Sequence, residues 1–400
     1  MLSSTDDSAL QQWLEPATDL VEAEISRLLA SYVEGTRLWL LEDVKSWIKT
    51  DASRVLWLKG QAGVGKSVIS ALIVDTIRQE NQIGGSFFCK SSNQSLKSSF
   101  NLVTTLAYSL KKWSPPFAQK LLQIKASGLV DITKASPSDL FLKLILEPLM
   151  ELNNAYVHAN YTPPTILLVI DALDECDDPA SRRRILQILS RDFKKLPSFV
   201  KILVTSRPED DIVAAFAESD MPMTELKPTD ENNKKDAEIV AVASLIRMKA
   251  ETDSIAAIAT AMVEKSDGLF IWLVMALLAF ENTSKTIQDV ESLPKGLTRI
   301  YESTFDRIYG YRTNLILDNF LGLIAVAIEP MNANQFVQYL DVSDAIVRKC
   351  VARATSVLSF SNDDTFTFLH KSVSDFLTSS YAGHKFFVPK SLINNQITWK

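Results

Sequence analysis

The chain is poor in cysteine, histidine and glycine: its 400 residues include three cysteines, three histidines and twelve glycines. Cys89, Cys176 and Cys350 lie far apart and form no C-x-x-C pair, which argues against a disulfide framework or a thiolate zinc site. A reducing compartment follows, and a cytoplasmic location is expected. Long hydrophobic runs are lacking too. The longest, Leu269 to Phe280, is bounded by Asp267 and Glu281 and is too short to cross a bilayer, so it reads as a buried helix. The first seven residues lack the basic-then-apolar layout of a signal peptide. Positive charge is in deficit: a net charge of −6 and a pI near 5.3 give no support for general binding to nucleic acid or to an anionic membrane. There is no repeat of solenoid period and no low-complexity tract.

What is present is a composition of ordinary globular type, 46% hydrophobic and 22% charged, long enough for two or three domains with their own cores. Three of the scarce glycines fall within eight residues, Gly60-Gln61-Ala62-Gly63-Val64-Gly65-Lys66-Ser67, a complete G-x-x-x-x-G-K-[ST] phosphate-binding loop. Glycines at 60, 63 and 65 let the backbone approach an anion, so that amide groups from Gly60 through Val68 can face phosphate oxygens. Lys66 supplies a mobile positive charge, Ser67 a hydroxyl for Mg²⁺, and the helix starting there directs its positive end at the phosphate. Context supports the motif. Val55-Leu56-Trp57-Leu58 reads as a strand before it, and Val68, Ile69, Ala71, Leu72, Ile73 and Ile77 fall mostly on one helical face after it.

Further along, Gly84 to Cys89, Ile166 to Ile170, Val200 to Val204 and Met223 to Leu226 read as strands. Helical patterns over 97–113, 138–152, 180–195 and 208–218 alternate with them, and Ser114-Pro115-Pro116 reads as a connector. The alternation predicts an α/β fold with a parallel, doubly wound sheet. Residues 1–31 form a helical lead-in, and the nucleotide domain spans 32–229. Beyond Lys227-Pro228-Thr229-Asp230 the strand signal fades, which predicts an all-helical domain over 230–310. Val357 to Phe360 and Thr365 to Leu369 flank the turn Ser361-Asn362-Asp363-Asp364, a predicted hairpin after short helices. That combination predicts a winged-helix module over 311–385, followed by a tail, 386–400.

A phosphate loop needs an acidic residue at the end of a buried strand to hold Mg²⁺, and Asp171 follows Ile166 to Ile170. Asp174 and Glu175 come next and can orient or deprotonate an attacking water, while Ala172 leaves room beside the metal. The strand over 200–204 leads into Thr205-Ser206-Arg207-Pro208. Arg207 is either a γ-phosphate sensor or a surface arginine paired with Glu209 or Asp210. The run Arg182-Arg183-Arg184 reads as a solvated helix face.

With these residues in view the chain resembles the signal-transduction NTPases of the NACHT class, the STAND P-loop NTPases found in fungal NLR-like proteins and in nephrocystin-like N-terminal regions. The likeness runs over roughly residues 32–380. It rests on WLKGQAGVGKS at 57–67, LLVIDALDEC at 167–176, VTSRP at 204–208, SDGLFIW at 266–272, LPKGLTRIY at 293–301 and FLHKSVSDFL at 368–377. Ala172 followed by Asp174 and Glu175 is the most diagnostic short feature. The resemblance implies ATP and ADP as ligands with Mg²⁺, slow hydrolysis, and use of the nucleotide as a conformational switch. It implies adenine near Tyr32 to Arg37, and contact between His370 and the β-phosphate of ADP; by itself His370 is equally a core or surface histidine. It also implies self-association in the ATP state and protein partners through flanking effector or repeat domains. The chain carries neither, as expected of a fragment or a minimal member. A ring-forming remodelling ATPase, a phosphotransferase and a non-hydrolysing nucleotide-binding scaffold are the competing classes.

Overall fold

The run Ile166-Leu-Leu-Val-Ile170 has no polar alternation, and such a strand is stable only when both of its faces are covered. In the computed structural model of the protein it is β3 of a five-stranded sheet, and every one of its residues is buried. The model describes residues 3–50, 53–176, 179–217, 223–227, 230–249, 254–281, 283, 285–310, 315–327, 329–360, 364–379 and 385–388. The described chain divides into two units, Met1–Gln61 with Lys66–Leu226, and Ala62–Gly65 with Lys227–Lys400.

The sheet of the first unit comprises β1 (Val55–Gly60), β2 (Ile83–Phe88), β3 (Ile166–Asp171), β4 (Val200–Ser206) and β5 (Met223–Leu226), in the spatial order β2-β3-β4-β1-β5. Every pairing is parallel, and helices form the crossovers. An α/β P-loop NTPase fold results. β4 lies between β1, which carries the phosphate loop, and β3, which carries Asp171. Register pairs Leu58 with Thr205 and Ile170 with Val204, so all three strands end at one edge of the sheet.

The two N-terminal helices, Ser4–Leu14 and Thr18–Leu29, pack on this unit. Thr18–Leu29 buries Val21, Ile25 and Leu28 and covers the helix Lys66–Gln79 and the edge strand β2. Ser114-Pro115-Pro116 is the start of a helix, Pro115–Ser127, and no mere connector. Proline is tolerated in the first helical turn because amides there have no intrahelical acceptor, and the Ser114 side chain caps the Phe117 amide.

In the second unit, helices Glu231–Arg247, Ile255–Ser266, Phe270–Phe280 and Leu297–Tyr309 share a core that includes Trp272, Tyr301 and Phe305. Leu269 to Phe280 is indeed a buried helix, and no helix among the described residues is long and apolar enough to cross a membrane. Three short strands follow, β6 (Met331–Asn332), β7 (Leu358–Phe360) and β8 (Thr365–Phe368), in the antiparallel order β6-β8-β7. β7 and β8 are the expected hairpin, with residues 361–363 of its turn outside the described residues. β6 was not legible, because two residues are too few for any periodic signal. Phe386 is buried against Phe305 and Tyr309, whereas 389–400 lie outside the described residues, as do Pro228 and Thr229.

Candidate nucleotide site

β1 ends at Gly60, and the chain turns through the loop into the helix Lys66–Gln79. Gly63 and Gly65 have φ of 79° and 88°, a left-handed conformation that is costly for residues with a side chain, so the turn requires glycine at both positions. Within the second unit the Gly63 carbonyl accepts the Ile271 amide at 3.2 Å, at the start of the helix Phe270–Phe280. Val64 is fully buried and anchors the loop, while Gln61, Ala62, Ser67 and Val68 keep some exposure.

The Lys66 ammonium donates to the carbonyls of Gly60 at 2.7 Å and Gln61 at 3.0 Å. Burial pushes its pKa down to about 8, against the opposing pull of Asp174 and Asp171. Asp171 is 1% exposed. Its Oδ1 accepts hydroxyl bonds from Ser70 and Thr205, both 2.6 Å, and Ser67 also hydrogen-bonds to it. Burial raises the Asp171 carboxyl, and those three hydroxyls with Lys66 work to bring it back down.

Ser67 and Asp171 thus present an all-oxygen donor set that suits a hard divalent cation such as Mg²⁺. No group of three or more acidic, histidine or cysteine side chains among the described residues could hold a metal. A cation beside Ser67 and Asp171 would therefore complete its shell with phosphate oxygens and water, which suits Mg²⁺ on a nucleotide.

After Asp171 the chain turns sharply. Ala172 has φ 53° and ψ 48°, its amide donates to Thr205 Oγ1 at 3.0 Å, and its carbonyl accepts the Glu175 amide at 2.7 Å. This turn points Asp174 and Glu175 in different directions. Asp174, 6% exposed, accepts the Arg207 amide on Oδ1 at 3.0 Å and pairs through Oδ2 with Arg207 Nε at 3.2 Å. Arg207 therefore pairs with Asp174, a partner the sequence reading did not name. Glu175 is less buried, and its Oε2 accepts the Ser91 amide and hydroxyl, both at 2.9 Å.

Arg182 is the main departure from the sequence reading: it is 1% exposed and bound to Glu209, Asp211 and the Asp174 carbonyl, whereas Arg183 and Arg184 are exposed as expected. Ser91, Ser70 and Thr205 were also missed as site residues. Their hydroxyls carry no motif, and only Thr205, near the end of β4, stood at a strand end where polar groups meet a site.

Arg37 is at φ 63°, 3% exposed, and begins the helix Leu38–Ile48, while Tyr32 donates to the Thr36 carbonyl at 3.0 Å. In the second unit, His370 caps the helix Lys371–Thr378. Its Nδ1 accepts the Ser372 amide at 3.1 Å and lies 2.6 Å from the Ser372 hydroxyl, which in turn meets the Tyr301 hydroxyl at 2.7 Å. With Nδ1 an acceptor, the neutral ring carries its proton on Nε2.

Comparison with known proteins adds to this geometry. The sequence profile of the family described as Nephrocystin 3, N-terminal, matches residues 35–207. The vegetative incompatibility protein HET-E-1 of Podospora anserina is 22% identical over 369 residues, covering 85% of this chain and 26% of its own length. The chain thus spans about a quarter of that curated relative. Among solved structures, it is similar to a Signal Transduction ATPase with Numerous Domains bearing a tetratricopeptide repeat sensor, from Pyrococcus horikoshii, with 15% identity, a TM-score of 0.46, and coverage of 86% of this chain and 42% of that one. The Walker-type ATPase of Pyrococcus abyssi matches with 13% identity and a TM-score of 0.42 over 86% of this chain and 95% of its own.

Proposed function

We propose that the chain, a NACHT/STAND-like P-loop NTPase, acts as an ATP/ADP-operated conformational switch reset by slow, Mg²⁺-dependent hydrolysis. The observation that carries this reading is the convergence of Lys66, Asp171 and the Asp174–Arg207 pair at one edge of the sheet, on the ends of β1, β3 and β4. Open α/β sheets bind ligands at the carboxyl ends of their strands. The amides of 60–68 cradle the β-phosphate and Lys66 spans toward the γ-phosphate. When bound to Ser67 and Asp171, Mg²⁺ would neutralise charge developing between the β- and γ-phosphates.

Both oxygens of Asp174 are engaged by Arg207, so Asp174 serves to hold the guanidinium that senses the γ-phosphate. Glu175 is the less buried acid, and in this reading it releases Ser91, orients a water and takes its proton as the water oxygen bonds to the γ-phosphorus. The bond from that phosphorus to the bridging oxygen breaks, and ADP leaves with the electron pair.

The proposed switch comprises a nucleotide domain over 32–229, a helical domain over 230–310 and a winged-helix module over 311–385. Support for the last is the three-stranded β6-β8-β7 sheet beside the helices Leu315–Val326, Ala333–Leu340, Asp344–Ala354 and Lys371–Thr378. Arg37 borders the adenine and His370 donates from Nε2 to the ADP β-phosphate, closing the switch. ATP then favours an open form that associates with further copies of the chain and with protein partners. A non-hydrolysing scaffold is the alternative, favoured by the engagement of Glu175 with Ser91.

Two measurements test the proposal. Mass spectrometry of the purified protein identifies any retained nucleotide, and light scattering compares its size in ADP and in the β,γ-imido analogue of ATP. Retained ADP in a monomer, with assembly in the analogue, is expected. An oligomer indifferent to nucleotide would sink the switch, and equal single-turnover hydrolysis by wild type and Glu175→Gln would favour the scaffold.

A further inference from the structure

Arg182 stands on the helix Pro179–Gln187 and is the one buried member of the arginine run. Its hydrogen bonds lead to the acidic turn after β3 and to the segment that follows β4. Nη1 donates to the main-chain carbonyl of Asp174 at 2.7 Å. Nε donates to Asp211 Oδ2 at 3.0 Å, and Nη2 donates to Asp211 Oδ1 at 2.9 Å and to Glu209 Oε2 at 2.5 Å. Burial disfavours the charged guanidinium, yet Glu209 and Asp211 outweigh it and hold the group above the ordinary arginine range.

Asp174 lies in the acidic turn after β3, and Glu209 and Asp211 follow Arg207 by two and four residues, beyond the end of β4, with Asp211 in the first turn of the helix Asp210–Ala217. These are the two segments whose side chains pair as Asp174 and Arg207. A planar guanidinium reaches a carbonyl and two carboxylates in fixed directions, which a lysine, as a point charge on a flexible stem, does not reproduce. The clamp therefore fixes the distance between the acidic turn and the arginine loop, and with it the direction of Arg207.

We infer that Arg182 is a positioning residue that sets the Asp174–Arg207 pair for discrimination between ATP and ADP. The inference rests on the reading of Arg207 as the γ-phosphate sensor, and the test separates the two. Dissociation constants for ADP and for the β,γ-imido analogue of ATP are measured by calorimetry on the full chain, as wild type, R207A, R182K, R182Q and R182Q/R207A. R207A should reduce the preference for the analogue about tenfold, as expected for loss of one charge-assisted bond. R182K and R182Q should reduce it by a similar factor, with ADP affinity within about twofold of wild type, and the double variant should lose little more, because the two residues act as a unit.

Retention of the wild-type ratio by R182K and R182Q, with R207A altered, overturns the inference and leaves the sensor reading standing. Equal weakening of both nucleotides by the Arg182 variants overturns it as well, since that is the mark of a merely structural clamp. An unchanged ratio in R207A overturns the sensor reading itself, and the inference with it. Thermal unfolding checks that each variant is folded. Should R182Q not fold, R182K and D211N are judged by the same ratio.

Discussion

Asp171 is enclosed on every side and must still carry a negative charge to hold a divalent cation. The balance is struck by donors, because each hydroxyl bond to a buried carboxylate favours its charged form. Thr205 does two things at once, donating to Asp171 and accepting the Ala172 amide. Replacing Thr205 by Val keeps the shape and removes both bonds. It should weaken Mg²⁺-dependent nucleotide binding about tenfold or more, given about 1.5–3 kcal/mol for a hydrogen bond to a charged group; titration calorimetry with and without Mg²⁺ measures this, and unaltered affinity would remove Thr205 from the site. A partly buried acid, Glu24, ties the N-terminal helix Thr18–Leu29 to the rest of the first unit. Burial works against its charge, but Arg27 at 2.5 Å and Lys90 at 2.9 Å outweigh it and hold the carboxyl at about 2, down from 4.5. A depressed carboxyl stabilises the fold above the unfolded value and loses that contribution as pH falls through the folded one. Glu24→Gln should therefore cost on the order of 2 kcal/mol near pH 7, after allowance for screening around the half-exposed Arg27, and the deficit should close between about pH 4.5 and 2. Urea unfolding across that range decides it, and a deficit independent of pH would show that the charge of Glu24 is not what matters. Lys66 and Asp171 were legible from a contiguous motif and a strand end. Ser91, Thr205 and Arg182 were not, because the carboxylates they bind, Glu175, Asp171, Glu209 and Asp211, lie tens of residues away in the chain.

At the scale of elements, the turn after β3 decides what the acidic residues can do. Ala172 occupies the left-handed region, which a methyl side chain tolerates at modest cost and a β-branched one does not. Ala172→Gly should leave stability within about 1 kcal/mol of wild type, and Ala172→Val should lose about 1–3 kcal/mol through backbone strain. Chemical denaturation of the pair measures both, and equal stability of the Val and Gly variants would show that this turn can relax. All five strands of the nucleotide sheet were readable, since apolar runs bounded by turns admit few other structures. Their order was not. Nothing in Val200 to Val204 says that β4 inserts between β1 and β3; the pairing follows from which faces the crossover helices can cover. The helix Pro115–Ser127 was missed because a proline pair reads as a break, although proline at a helix start needs only a cap such as Ser114.

For the whole molecule, the proposed switch must favour one state strongly: shifting a population from 1:99 to 99:1 takes about 5.5 kcal/mol of differential binding. One charge-assisted contact from His370 contributes about 1.5–3 kcal/mol, so packing between domains must supply the remainder. His370 also caps its own helix, and the two roles are separable. His370→Asn keeps a good capping residue and removes the ring, whereas His370→Ala removes both. If the ring holds ADP, both variants should release ADP faster than wild type in a stopped-flow chase, by about tenfold for loss of one such contact. If only His370→Ala does so, the effect is that of a lost cap, and the phosphate contact is discarded. The sequence by itself determined that this protein binds a nucleotide on a parallel α/β sheet, because a phosphate loop and a buried strand are local and their chemistry is written in consecutive residues. Only the tertiary structure decided that Arg207 faces Asp174, that Glu175 is the acid held by Ser91, and that Arg182 is buried beneath both loops. Those are contacts between segments far apart in the chain, set by strand order and packing, on which local pattern has no purchase.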